Sequence, residues 1–219
     1  GVDLFFCISG YVVSHAYLKV FDQQRENGNF WIAAQAFWIR RIYRLLPTAW
    51  IWVFVPFMLS IFFNQSGAFG SWYDNLRGIT AVLTCSGNLA NQFGMTLGPH
   101  SVYWSLALEE QFYLIFPIFL LIVTRARWRV GILLGLICFQ FVFDRNPFGN
   151  AITALATSFR LDAMMWGILI YIFSRSRVYQ QFEPTFLKGS PFKVLFVNIL
   201  LIYLLGAISA QMIATPIAV

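Results

Sequence analysis

Of 219 residues, only 11% are Asp, Glu, Lys or Arg, 59% are apolar, and the formal net charge is +6. A soluble domain carries about a quarter of its residues charged, so a water-solvated surface is excluded and a lipid-facing exterior is expected. The basic residues fall in short clusters between apolar runs instead of along an aromatic groove. That pattern favours lipid headgroups or an anionic cofactor over nucleic acid.

In chain order, six apolar segments are long enough to cross a bilayer, allowing for thinning and tilt: residues 2–18, 45–63, 102–123, 129–144, 156–173 and 194–214. The expected fold class is therefore all-α, a polytopic transmembrane helical bundle. A seventh segment, 78–93, is weaker because Ser, Asn and Gln run through its second half. If it enters and returns without crossing, twelve of the 15 Lys and Arg residues lie on one side of the membrane. These are Lys19, Arg25, Arg40, Arg41 and Arg44; Arg125, Arg127 and Arg129; and Arg175, Arg177, Lys188 and Lys193. If it crosses, the bias disappears. The positive-inside rule thus predicts a re-entrant or interfacial 78–93, with those clusters cytoplasmic. The polar stretch 19–44 is expected as a cytoplasmic connector. Gly1 opens without a hydrophilic lead-in and Val219 closes on an apolar run, so one membrane domain, 1–219, truncated at both ends, is expected.

Four constellations are candidates for chemistry. Arg40, Arg41 and Arg44 fall within an arc of about 100° on a helix, where their guanidinium forks suit phosphates or serve only to anchor the helix at the interface. Ser105, Glu109 and Tyr113 share a helical face at i, i+4 and i+8, with Glu110 adjacent. A charged carboxylate at mid-bilayer costs about 2.5–3.5 kcal/mol or more, so such residues default to a functional reading. Arg160 and Asp162 lie about 200° apart on a helix and do not pair with each other. Either a partnership of Arg160 with Glu109 or Glu110, or a substrate contact, fits it. Asp3 sits at the mouth of the first span, where Ser9 and Gly10 allow close helix packing. His15 and His100 are isolated, Cys7, Cys85 and Cys138 have no metal-ligand spacing, and no metal is expected.

Four strings, taken together, resemble a known family: GVDLFFCISGYVV (1–13), RRIYRLLP (40–47), YWSLALEEQFYLIFP (103–117) and RLDAMMWGILI (160–170). In this order they are similar to signature stretches of the membrane acyltransferase-3 family, which includes bacterial O-antigen and exopolysaccharide O-acetyltransferases. The resemblance implies an enzyme of the bacterial cytoplasmic membrane. It would move an acyl group, most often acetyl from acetyl-CoA, to a hydroxyl of a glycan or lipid-linked saccharide. It also implies that Arg40, Arg41 and Arg44 contact acyl-CoA, that Glu109 and Glu110 are catalytic, and that Trp104, Ser105, Arg160 and Asp3 contact the acceptor. The family's histidine lies on a helix preceding the GVDLFF stretch, and neither His15 nor His100 occupies its position. The fragment alone is therefore expected to be inactive. Two rivals stay open: a transporter with Glu109, Glu110 and Arg160 along its path, and an inactive truncated relative.

Overall fold

A computed structural model describes residues 1–65, 67–95, 97–143, 161–182 and 190–214. All regular structure among them is helical: α1 (Val2–Glu26), α2 (Phe30–Phe62), α3 (Trp72–Leu83), α4 (Gly87–Gln92), a 3₁₀ turn (Gly98–Tyr103), α5 (Trp104–Ile122), α6 (Ala126–Phe143), α7 (Asp162–Ser174), α8 (Arg177–Phe182) and α9 (Pro191–Ala214). They divide into two compact units, 1–174 and 175–219. Three helical stretches are long and apolar enough to cross a membrane: Val2–Glu26, Phe30–Phe62 and Pro99–Ile122. The apolar runs Asp162–Ser174 and Pro191–Leu204 are shorter. Three of the six expected spans thus reach full spanning length among the described residues. Most of the run-up to α7 lies outside those residues.

The expected connector over 19–44 is corrected. Helix α1 continues to Glu26, and α2 begins at Phe30 after a turn in which Gly28 takes φ +74°. Ala33, Ala34 and Ala36 favour helix, and Phe30, Ala34 and Phe37 form one buried face at i, i+4 and i+7. The polar run 22–28 is therefore mostly the last turn of a helix, not linker. The three arginines accordingly sit several turns inside α2 and not at a helix start.

The core of the first unit is a chain of aromatic rings. Phe21 packs on Phe30 (5.3 Å), Phe37 (5.8 Å) and Phe116 (6.3 Å), and Phe37 meets Tyr17 edge-on at 4.9 Å. Such pairs add about 0.5–1.5 kcal/mol each beyond area burial. The pairings fix direction. Phe6 meets Trp104, Phe21 meets Phe116, and the Arg25 side chain reaches the Leu120 carbonyl at 3.0 Å. Helix α5 therefore runs parallel to α1, while α2 runs opposite to both. Helix α7 lies along α1 at close range. A Cβ on Gly10 would stand 2.2 Å from the Met164 carbonyl oxygen, and one on Gly167 would stand 2.1 Å from that of Cys7. Only glycine permits this approach.

Segment 78–93 is two short helices with a break at Thr84-Cys85-Ser86. Ser71 caps the start of α3: its Oγ accepts from the Asp74 N–H at 3.0 Å and donates to Asp74 Oδ2 at 2.7 Å. The buried face of α3 packs on Val53 of α2 through Ile79 and Val82. Helices α3 and α4 span 12 and six residues, too few for either to cross a bilayer alone. In the second unit, α8 is a single short helix. In α9 apolar residues recur on every side without a polar stripe.

Candidate functional site

Adjacent residues on a helix point about 100° apart, and this separates Glu109 from Glu110. Glu109 faces α1 and is 6% exposed. Its Oε1 accepts from the Ser9 hydroxyl at 3.0 Å and also from the Tyr113 hydroxyl one turn along α5. Ser105, predicted on the same face, instead donates weakly to the Val102 carbonyl at 3.5 Å. Trp104 stands edge-on to Phe6 at 6.4 Å, and Asp3 lies in the exposed first turn of α1.

Glu110 faces the other way, into a cavity of about 440 Å³ between α2, the 84–86 break and α5. This is within the range of small-molecule sites, about 300–1,000 Å³. Arg41 lines the same cavity from α2, among apolar walls that include Trp38, Leu45, Leu46 and Leu114. The Arg41 guanidinium lies over the Tyr113 ring at 4.7 Å, with Phe37 at 5.5 Å and Tyr17 at 5.7 Å. These cation–π contacts hold the charge in place without neutralising it. Among the described residues no carboxylate lies within ion-pair distance of Arg41. Trp38 locks α2 to α5 through an indole N–H bond to the Tyr113 carbonyl at 3.1 Å. Arg40 and Arg44 are exposed and do not line this cavity; Arg40 borders a smaller cleft of about 230 Å³ between α1 and α2. Of the predicted site residues, the cavity joins only Arg41 and Glu110. Arg160 lies outside the described residues.

The break itself forms one wall. Cys85 has φ +52°, the one non-glycine with positive φ among the described residues. Side chains that are not glycine adopt this region at a cost and persist there when their surroundings over-determine them. Two consecutive side chains of α5 do so here. Gln111 Nε2 donates to the Cys85 carbonyl at 2.8 Å and to Asn88 Oδ1 at 3.0 Å, while the Cys85 thiol donates to Glu110. The Ser86 N–H closes the turn onto the Ala81 carbonyl at 2.8 Å.

At the opposite end of α1 the charges are matched. Arg129, 2% exposed, grips Asp22 with both arms (2.8 and 2.6 Å) and gives its Nε–H to the Val123 carbonyl at 2.7 Å. Arg25 adds a second contact to Asp22 at 3.0 Å. The ends of α1 and α5 and the start of α6 are thereby tied together. His100 is buried on α3, with Nε2 2.8 Å from Asn75 Oδ1 and its ring against Gly78. His15 stacks on Tyr11 and meets Tyr171 edge-on. Neither histidine lines the cavity. Among the described residues no group of three His, Cys, Asp or Glu is placed to hold a metal.

Sequence reasoning missed Gln111, Trp38 and the involvement of Cys85. Gln111 stands beside the carboxylate pair in a segment otherwise apolar, which is a signal that could have marked it. Nothing in the order of residues marks Cys85 as left-handed.

Residues 1–217 match the acyltransferase domain family. The chain is 29% identical over 210 residues to the "Putative O-acetyltransferase SACOL0978" of Staphylococcus aureus strain COL, covering 89% of this chain and 32% of that protein. It is 33% identical over 135 residues to the "Peptidoglycan O-acetyltransferase OatA" of Listeria monocytogenes, covering 57% of this chain and 20% of that protein. To the "Putative peptidoglycan O-acetyltransferase YrhL" of Bacillus subtilis it is 31% identical over 150 residues, covering 63% and 22%. The chain thus spans about a third or less of the length of these relatives. No solved structure matches it.

Proposed function

Because the chain belongs to the acyltransferase-3 (acyltransferase domain) family, we propose that it forms the membrane part of an O-acyltransferase that moves an acetyl group from cytoplasmic acetyl-CoA to a hydroxyl of a cell-envelope saccharide. The observation that carries the reading is the meeting of Arg41 and Glu110 in one largely apolar cavity. A fixed, uncompensated cation suits the anionic donor, and a carboxylate beside it suits a hydroxyl that must be aligned for attack. Both arrive from helices long enough to span: Arg41 lies roughly 16 Å along α2 and Glu110 roughly 9 Å along α5, at 1.5 Å per residue. They meet inside the layer, where a cytoplasmic donor and an external acceptor could both reach them.

In this reading Arg41 holds the donor, with Arg40 and Arg44 as weaker phosphate contacts from the exposed face of α2. Glu110 orients the acceptor, and Trp104, Ser105, Asp3 and Arg160 belong to the acceptor's approach. Glu109, whose Oε1 accepts from Ser9 and Tyr113, positions α5 against α1. Proton transfer falls to a group outside the cavity lining described above, since His15 and His100 are engaged elsewhere. Six spans with a re-entrant α3–α4 complete the proposed topology, in the bacterial inner membrane. The parallel course of α1 and α5 supports it, because the chain between α2 and α5 then makes no net crossing. So does the Asp22–Arg129 pair, which joins the 19–26 segment to the 125–129 segment.

The test is the full-length protein in liposomes with radiolabelled acetyl-CoA. Label reaching saccharide hydroxyls, with release of CoA, is expected. Solute flux without any acetyl-CoA consumption would instead favour a transporter and overturn the reading.

A further inference from the structure

Glu110 and Glu109 differ in what occupies them. Two hydroxyls, both strong donors, fill Glu109 Oε1. Glu110 receives a thiol, the weak S–H of Cys85. A carboxylate gains more from a hydroxyl than from a thiol, so Glu110 is the one of the pair whose resting partner a hydroxyl can displace at small cost. The exchange site opens onto the cavity, since Cys85, Glu110 and Arg41 all line it. The thiol is also not there by accident of a flexible loop. Gln111 and Asn88 hold the turn from the side, and the turn's own backbone bonds hold it from below, so Sγ is presented to Glu110 in a strained conformation.

We propose that Cys85 is a placeholder: its thiol occupies the position on Glu110 where the acceptor's hydroxyl hydrogen bonds, and yields it when the acceptor enters. This deepens the functional reading above and rests on it. No bond to Cys85 forms or breaks; the acceptor O–H donates to the Glu110 carboxylate where S–H donated before. Cys85 is a positioning residue, and Gln111 keeps it in place.

Ser and Ala replacements separate this role from a structural one. Both keep the Cβ that left-handed φ penalises, so the backbone cost largely cancels between them. If Cys85 only braces the break, Cys85→Ser, which retains a donor, is the milder change and Cys85→Ala the more harmful. A placeholder predicts the reverse. In Cys85→Ser a strong hydroxyl donor competes with the acceptor, whereas Cys85→Ala leaves Glu110 free. The readouts in the full-length protein in liposomes are transfer from acetyl-CoA to tri-N-acetylchitotriose and to water. In both, Cys85→Ser lowers acceptor-side efficiency about five-fold, the scale of one hydrogen bond. Cys85→Ala equals or exceeds the wild type, and the KM for acetyl-CoA is unchanged in each. The opposite order, or equal losses in both variants, overturns the placeholder while wild-type turnover keeps the functional reading. A wild type that consumes no acetyl-CoA with either acceptor overturns both.

Discussion

Two places in this bundle bring arginine and carboxylate together, and they are built to opposite ends. At the α1–α5–α6 junction Arg129 is buried with two bonds to Asp22 and one to a carbonyl. In the cavity Arg41 rests on three ring faces, and Glu110 is held by a thiol, with no cation in ion-pair contact among the described residues. Residue types are the same; the difference is satisfaction. A charge already gripped by a carboxylate has little to gain from an anionic ligand. A charge held by rings alone keeps its field directed into the open volume, where low dielectric strengthens it. Matched pairs fix structure, and unmatched ones facing a cavity are where binding energy remains to be gained.

The contrast breaks first at the matched pair. Arg129→Met leaves Asp22 without its bidentate partner, and Asp22 is about a third exposed, so the loss is expected near or below the low end of the ~3–5 kcal/mol for breaking a buried pair. Thermal unfolding of the full-length protein in detergent should show a clearly lower Tm. An Asp22→Asn/Arg129→Met double variant should recover part of it. Equal Tm for the wild type and the single variant would mean that the junction is not a structural tie.

A smaller effect is expected at the unmatched cation. Arg41→Met should keep Tm close to wild type and raise the KM for acetyl-CoA about ten-fold, the scale of a charged hydrogen bond. The exposed Arg44 should respond less, with Arg44→Ala changing that KM about two-fold. Donor kinetics measured across the three proteins check the order. Arg44→Ala exceeding Arg41→Met would place the donor outside the cavity.

Much of the scaffold was legible. Apolar runs marked α1, the second half of α2 and α5, and the i, i+4 spacing put Glu109 beside Tyr113. The polar residues of 78–93 weakened that segment where the break occurs. Three features escaped because they depend on distant partners. Ser9 meets Glu109 across 100 positions, and Arg129 meets Asp22 across 107; no local periodicity encodes either contact. The left-handed Cys85 turn contains no glycine at that position, so its signal lies wholly in Gln111 and Glu110 on another helix. The 19–44 connector was misjudged because its polar tail hid a single break at 27–29 between two long helices. Arg40, Arg41 and Arg44 looked equivalent by spacing, and only packing against Tyr17, Phe37 and Tyr113 distinguishes Arg41.

The central claim is that the neighbouring carboxylates divide the work, Glu110 serving the reaction and Glu109 the packing of α5 on α1. The most direct measurement is turnover and thermal stability of Glu110→Gln and Glu109→Gln in the full-length protein, side by side. Glu110→Gln is expected to lose about a hundred-fold in kcat, the scale on which misplacing a reacting group acts, with Tm near wild type. Glu109→Gln should mainly lower Tm, because a neutral amide oxygen accepts from the Ser9 and Tyr113 hydroxyls more weakly than a carboxylate does. Full turnover in Glu110→Gln would contradict the account.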